Sequence, residues 1–135
     1  MLDGTPARER GEAMPKYVSF FSYTGEAWSR MVERPENRAV AARRLIEEIG
    51  GRMEIFYWMF GEWDGLVIFD VPDAATAAAF SARVTSSGLL REIETHELLA
   101  MADAQTALEQ AKSAGAAYEP PGAQREWRAD YDSFG

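Results

Sequence analysis

The sequence predicts an α+β fold: a four-stranded antiparallel sheet in the order β-α-β-β-α-β, the ferredoxin-like arrangement. Three observations lead there. Residues 53–73 carry two apolar runs on either side of Gly61-Glu62-Trp63-Asp64, a pattern that reads as a β-hairpin. Helical periodicity precedes this hairpin over residues 36–49 and follows it over residues 74–85. Strand-like runs at residues 17–23 and 90–99 complete the order at its two ends.

Taken in chain order, residues 1–13 are small and charged with no apolar face, and read as a flexible leader. Met14 is an alternative start, so the folded domain is placed at residues 14–100. Residues 17–23 are rich in aromatics and form the first strand, which Thr24-Gly25 ends. Residues 26–33 read as a short helical turn, with Trp28, Met31 and Val32 at helical offsets. Pro35 suits the first turn of the longer helix that follows. In that helix Ala42, Leu45, Ile46 and Ile49 repeat at i, i+3, i+4 and i+7, while Arg38, Arg43, Arg44, Glu47 and Glu48 fall on the wet side. Gly50-Gly51 stops it, because glycine takes the left-handed conformation without a Cβ clash.

The hairpin runs, residues 55–60 and 66–71, lack the alternation of a strand with one wet face, so burial on both faces is expected. Pairing Phe60 with Gly65 places Phe56, Trp58, Val67 and Phe69 on one face and Ile55, Tyr57, Met59, Leu66 and Ile68 on the other. Two helices cover only one of these faces. The other would be a large apolar patch, and a second copy of the chain is its expected cover. Asp73 is placed to cap the helix at residues 74–85, which Ser86-Ser87-Gly88 closes. The last strand, residues 90–99, bears Ile93 and His96. Beyond the domain, residues 101–135 hold a further helix, capped by Asp103 and running to Ser113, and then an aromatic tail. Trp127, Tyr131 and Phe134 are expected to dock residues 125–134 on a folded surface, that of the partner subunit.

Composition narrows the function classes. A net charge of −8 argues against a nucleic-acid partner, whose phosphates call for basic patches, and against an anionic membrane surface. No apolar run approaches the roughly 18–20 residues of a membrane span. With no cysteine, a thiolate nucleophile, a thiolate metal site and a disulfide are all excluded, and the cytoplasm is the default location. Nothing in the sequence recruits a metal, nucleotide or other cofactor: a Gly-rich phosphate loop, a nucleophile elbow and paired histidines are all missing.

The candidate chemical groups are few. His96 is the only histidine, a general base or ligand contact on one reading and a hydrogen-bonded edge residue on the other. Asp64 either accepts backbone amides at the hairpin turn or presents a carboxylate at a pocket mouth. Tyr57 completes the acid/base candidates. Trp28 and Trp63, set in turns or short helices, are candidates with Tyr57 to frame a ligand cleft.

The motifs Met14-Pro15-Lys16-Tyr17-Val18, Gly50-Gly51, Phe56-Tyr57-Trp58, Gly61-Glu62-Trp63-Asp64 and Pro72-Asp73 occur in an order that resembles the GYD-domain family. That family is named for a glycine-tyrosine-aspartate signature in the central hairpin. The resemblance spans residues 14–99, and Trp63 stands here in the place of the tyrosine. It implies a ferredoxin-like domain of the dimeric α+β barrel type. It implies little about activity, and two function classes remain open: a homodimeric module that binds a small apolar or aromatic molecule or simply assembles, and a cofactor-independent monooxygenase- or isomerase-like enzyme using Tyr57, Asp64 or His96.

Overall fold

Strand β1 (Lys16–Tyr23) runs straight into helix α1 (Gly25–Glu33), and the turn between them is set by Thr24, whose hydroxyl accepts from the Ala27 amide at 3.1 Å. The chain continues through α2 (Arg38–Glu48), β2 (Arg52–Trp58), β3 (Gly65–Asp70), α3 (Ala74–Thr85) and β4 (Leu90–Leu98). A fourth helix, α4 (Met101–Ser113), precedes a short 3-10 turn, Gly115–Ala117. This is a computed structural model, and it describes residues 14–122. The leader and the tail aromatics Trp127, Tyr131 and Phe134 lie outside the described residues, as does the docking expected of residues 125–134.

The sheet order is β2-β3-β1-β4 with every neighbouring pair antiparallel, the ferredoxin-like order expected from the sequence. The first crossover holds two helices where one and a turn were expected. The second of them starts later than Pro35 suggests. Asn37 is its cap, with Oδ1 accepting from the Ala39 amide at 3.0 Å, so Pro35 falls in the connection. Its far end forms the expected glycine stop: Gly50 has φ +90°, its amide reaches Glu47 O at 3.0 Å, and the Gly51 amide reaches Ile46 O at 2.8 Å. Helix α3 spans the expected residues 74–85, and Asp73 Oδ1 accepts from the Thr76 amide at 2.9 Å and the Thr76 hydroxyl at 2.7 Å. Those bonds, the hydroxyl's first, hold the Asp73 carboxyl below the usual carboxylate range.

One side of the sheet forms the core. Ile46, Ala77 and Phe80 from the helices meet Tyr17, Phe21, Val67, Phe69 and Val71 from the strands, all buried. The other side presents Val18, Phe20, Ile55, Tyr57, Leu66 and Ile68, aligned across β1, β3 and β2. Two corrections concern the hairpin. Trp58, not Phe60, pairs with Gly65, so the connection is two residues longer and Phe60 stands 92% exposed within it. A slip of two residues keeps each side chain on its face, so the two-face partition is unchanged. The expected burial on both faces is not seen within one chain: in the central strand β3, Val67 and Phe69 on the core face are buried, but Leu66 and Ile68 on the other are only partly so. The outer strand β2 leaves Tyr57 and Trp58 exposed.

The chain divides into two compact units, at Leu98 and Leu99. In the second, α4 begins at Met101 after Ala100, which makes no side-chain cap bond. Asp103 therefore does not cap the helix as expected; it lies in the first turn, where a carboxylate favours the positive end of the helix dipole.

Candidate functional site

A cavity of about 370 Å³ opens between the core face of the sheet and the three helices α1, α2 and α3. Its floor is strand residues Phe21, Phe56, Val67 and Ile93; Ala42 and Leu45 of α2 and Phe80 and Val84 of α3 form its walls. These side chains are apolar, and Phe21, Val67 and Phe80 are nearly inaccessible from outside. Volume and lining fall in the range of small-molecule sites, which are mostly apolar with a few polar groups that fix orientation.

The polar groups gather at the rim. Tyr23, the last residue of β1, Arg38, the first of α2, Arg30 of α1 and Glu36 all line the opening. Arg38 Nη1 donates to Glu36 Oε1 at 2.7 Å, and its guanidinium also stands against the Tyr23 phenol. Burial pushes the Tyr23 hydroxyl up, against the pull of Arg38 and the Trp58 indole, which donate to its oxygen, so the phenol stays protonated near neutral pH. Arg30 pairs with Glu26 one turn back at 3.6 Å, both well exposed.

A run of aromatic rings ties the cavity to the hairpin loop. Phe56 meets Phe21 at 5.6 Å between centroids, Phe21 meets Tyr23 at 5.4 Å, Tyr23 meets Trp28 at 5.5 Å, and Trp28 meets Trp58 at 5.3 Å. The last two contacts are edge-to-face, an arrangement favoured by the ring quadrupoles. Tyr23 is thus held on one side by Phe21 and on the other by Trp28.

The structure does not bring the residues singled out from sequence into one place. Asp64 Oδ2 accepts from the Tyr23 amide at 2.8 Å and from the Trp28 indole at 3.3 Å. Its own amide donates to Phe21 O at 2.8 Å. Trp28 lies beside the cavity through its contact with Tyr23. Trp63 packs on Phe20, at 6.1 Å, on the open sheet face, and Tyr57 belongs to that same face. His96 is on the edge strand β4 opposite Val18, with Nε2 3.0 Å from Glu94 Oε2. None of Tyr57, Asp64 and His96 lines the cavity. Among the described residues no group of three or more His, Asp or Glu is arranged to hold a metal ion, and no helix is long and apolar enough to cross a membrane.

Sequence reasoning missed Arg38 and Glu36, which read there as the solvated side of a helix.

The family model for the GYD domain matches residues 17–108. The match takes in all of the sheet and α1 to α3 and ends inside α4, past the point where the motif resemblance stops. No curated protein matches the chain. Among solved structures it is similar to an AsnC family transcriptional regulator from Agrobacterium tumefaciens, at 17% sequence identity and a TM-score of 0.44. That match covers 74% of this chain and 59% of the regulator, so the chain spans less than two thirds of the regulator's length.

Proposed function

The chain belongs to the GYD-domain family, and from that premise we propose that it is a homodimeric module that binds a small, mainly apolar molecule in the cavity under α1, α2 and α3. The observation that carries this reading is the cavity itself. An open space of about 370 Å³ with a mainly apolar lining keeps apolar surface against water, and a mainly apolar ligand that covers it recovers that cost. At a water molecule's share of about 30 Å³, it has room for roughly a dozen non-hydrogen atoms. The alternative, a cofactor-independent enzyme working through Tyr57, Asp64 or His96, draws no support from the cavity, because none of the three lines it.

Fragment screening by amide chemical shifts tests the reading. Small aromatic and aliphatic fragments are expected to perturb Ala42, Leu45, Val84 and Leu89, residues that line the cavity. Replacing Ala42 by Trp fills the space from α2 and should abolish those perturbations while the rest of the spectrum persists. Fragments that perturb only residues outside the cavity, or that bind A42W undiminished, would defeat the proposal.

A further inference from the structure

The rim of the cavity carries more information than its volume. Its charged lining residues are Arg30, Glu36 and Arg38; Arg30 is paired with Glu26 at 3.6 Å, and Arg38 is the less exposed of the two arginines. The one carboxylate is engaged with Arg38 at 2.7 Å and is over half exposed, so it faces outward. Arg38 has five N–H donors in a planar fork; Glu36 takes one on Nη1 and the Tyr23 oxygen accepts from the same guanidinium, so the fork keeps donors to spare. The Tyr23 hydroxyl accepts on its oxygen from Arg38 and the Trp58 indole and, protonated, still carries its own O–H as a donor. Donors therefore outnumber acceptors at the rim, while the floor offers only apolar contact.

Resting on the reading of this cavity as a ligand site, we infer that its occupant is an apolar monocarboxylate, held at the rim by Arg38 and Tyr23 with its hydrocarbon body on Phe21, Phe56 and Phe80. A carboxylate matches the arginine fork in shape and charge, and bonds of this kind are about twice as strong as neutral ones. Glu36 is no obstacle. An exposed ion pair contributes little, so the incoming acid shares or replaces it at small cost. A cationic ligand would have to compete with Arg38 itself for Glu36. A neutral one would gain the apolar floor but leave the charge of the rim unused.

Titration calorimetry with three matched series separates these cases: phenylacetate, phenylpropionate and phenylbutyrate, their primary amides, and the corresponding amines. The best acid is expected to bind about tenfold tighter than its amide, the size of one charge-assisted hydrogen bond. Arg38→Gln should erase that preference by weakening the acid alone, with the amide affinity unchanged; Arg38→Lys should restore part of it. Tyr23→Phe should weaken the acid more than the amide. Equal affinity of acid and amide, a preference for the amine, or a preference that survives Arg38→Gln would each overturn the inference and leave the cavity reading standing. No binding by any of the three series up to millimolar concentration would overturn both.

Discussion

Asp64 stands where the hairpin loop meets the end of β1. One carboxylate oxygen accepts from a backbone amide of that strand and from the indole of Trp28, and the Asp64 amide closes the link by donating to Phe21 O. The residue thereby fixes the last turn of β1, the entry to α1, and the ring stack that positions Tyr23 at the cavity rim. Removing the carboxylate strands two partly buried donors, and an unsatisfied donor of this kind costs about 1–3 kcal/mol. Asp64→Ala should therefore lower the unfolding free energy by an amount in that range, read from the urea midpoint at unchanged m-value. Asp64→Asn keeps an acceptor and should lose less. An alanine variant as stable as the parent would show that the carboxylate is not structural and would return it to the acid/base candidates. Both readings of Asp64 follow from its place at a turn; the partners that decide between them are 41 and 36 residues away in sequence.

Gly51 marks the junction of α2 and β2. A Cβ there would collide with the Asp70 carbonyl oxygen and lie 2.7 Å from Val71 Cγ1, so the second residue beyond the C-cap Ile49 presses directly on the chain leaving β3. Backbone cannot yield as a side-chain tip can. Gly51→Ala should destabilise by about 1–3 kcal/mol, as overpacking does. Gly25, in the first turn of α1, has nothing within 4 Å of a built Cβ, and Gly25→Ala should be neutral or slightly stabilising by thermal melt. Equal effects at the two positions would remove the packing argument. The Gly50-Gly51 stop, the span of α3 and the strand order were all legible because each rests on local chemistry: a left-handed turn, an aspartate cap, a change of period. The hairpin pairing was legible only to within two residues. A slip of two residues leaves every side chain on its face, so no side-chain pattern can pin it; the length of the loop decides it, and both apolar runs could continue into that loop. Pro35 misled because a proline tolerated in a first helical turn is equally at home in the connection before a better cap, here Asn37. The cavity was not legible at all. Phe21, Phe56, Phe80 and Ile93 come from four separate elements, and in sequence each is indistinguishable from core.

The sheet face opposite α1, α2 and α3 presents Val18, Phe20, Ile55, Leu66 and Ile68, with Tyr57 61% exposed at its β2 edge. At one end of this face Asp70 is bracketed by Lys16 at 3.0 Å and Arg52 at 3.4 Å, and Lys16 also reaches Glu54 at 3.2 Å. The patch thus carries apolar area in the middle and a charge cluster already paired within the chain at its end, so two copies meeting about a two-fold axis bring no unpaired charge of this cluster together. Like-charged copies of net charge −8 repel at long range, but salt screens that repulsion beyond about 10 Å while apolar contact is unaffected. Covering several hundred Å² at about 25 cal/mol per Å² yields on the order of 10 kcal/mol before the cost of association, a gain that favours the dimer. Light scattering is expected to give twice the 15.0 kDa chain mass. Ile68→Asp places a charge at the centre of the patch and should give monomer or insoluble protein. That variant also strains the protomer, since Ile68 is partly buried within it. Tyr57→Asp is the cleaner test: in a single chain this position is mostly in water, so a carboxylate there costs the fold little, and any loss of the dimer reports the interface alone. A folded 15.0 kDa species for the unaltered chain at micromolar concentration, or a Tyr57→Asp variant as dimeric as the parent, would show that a second copy does not cover this face.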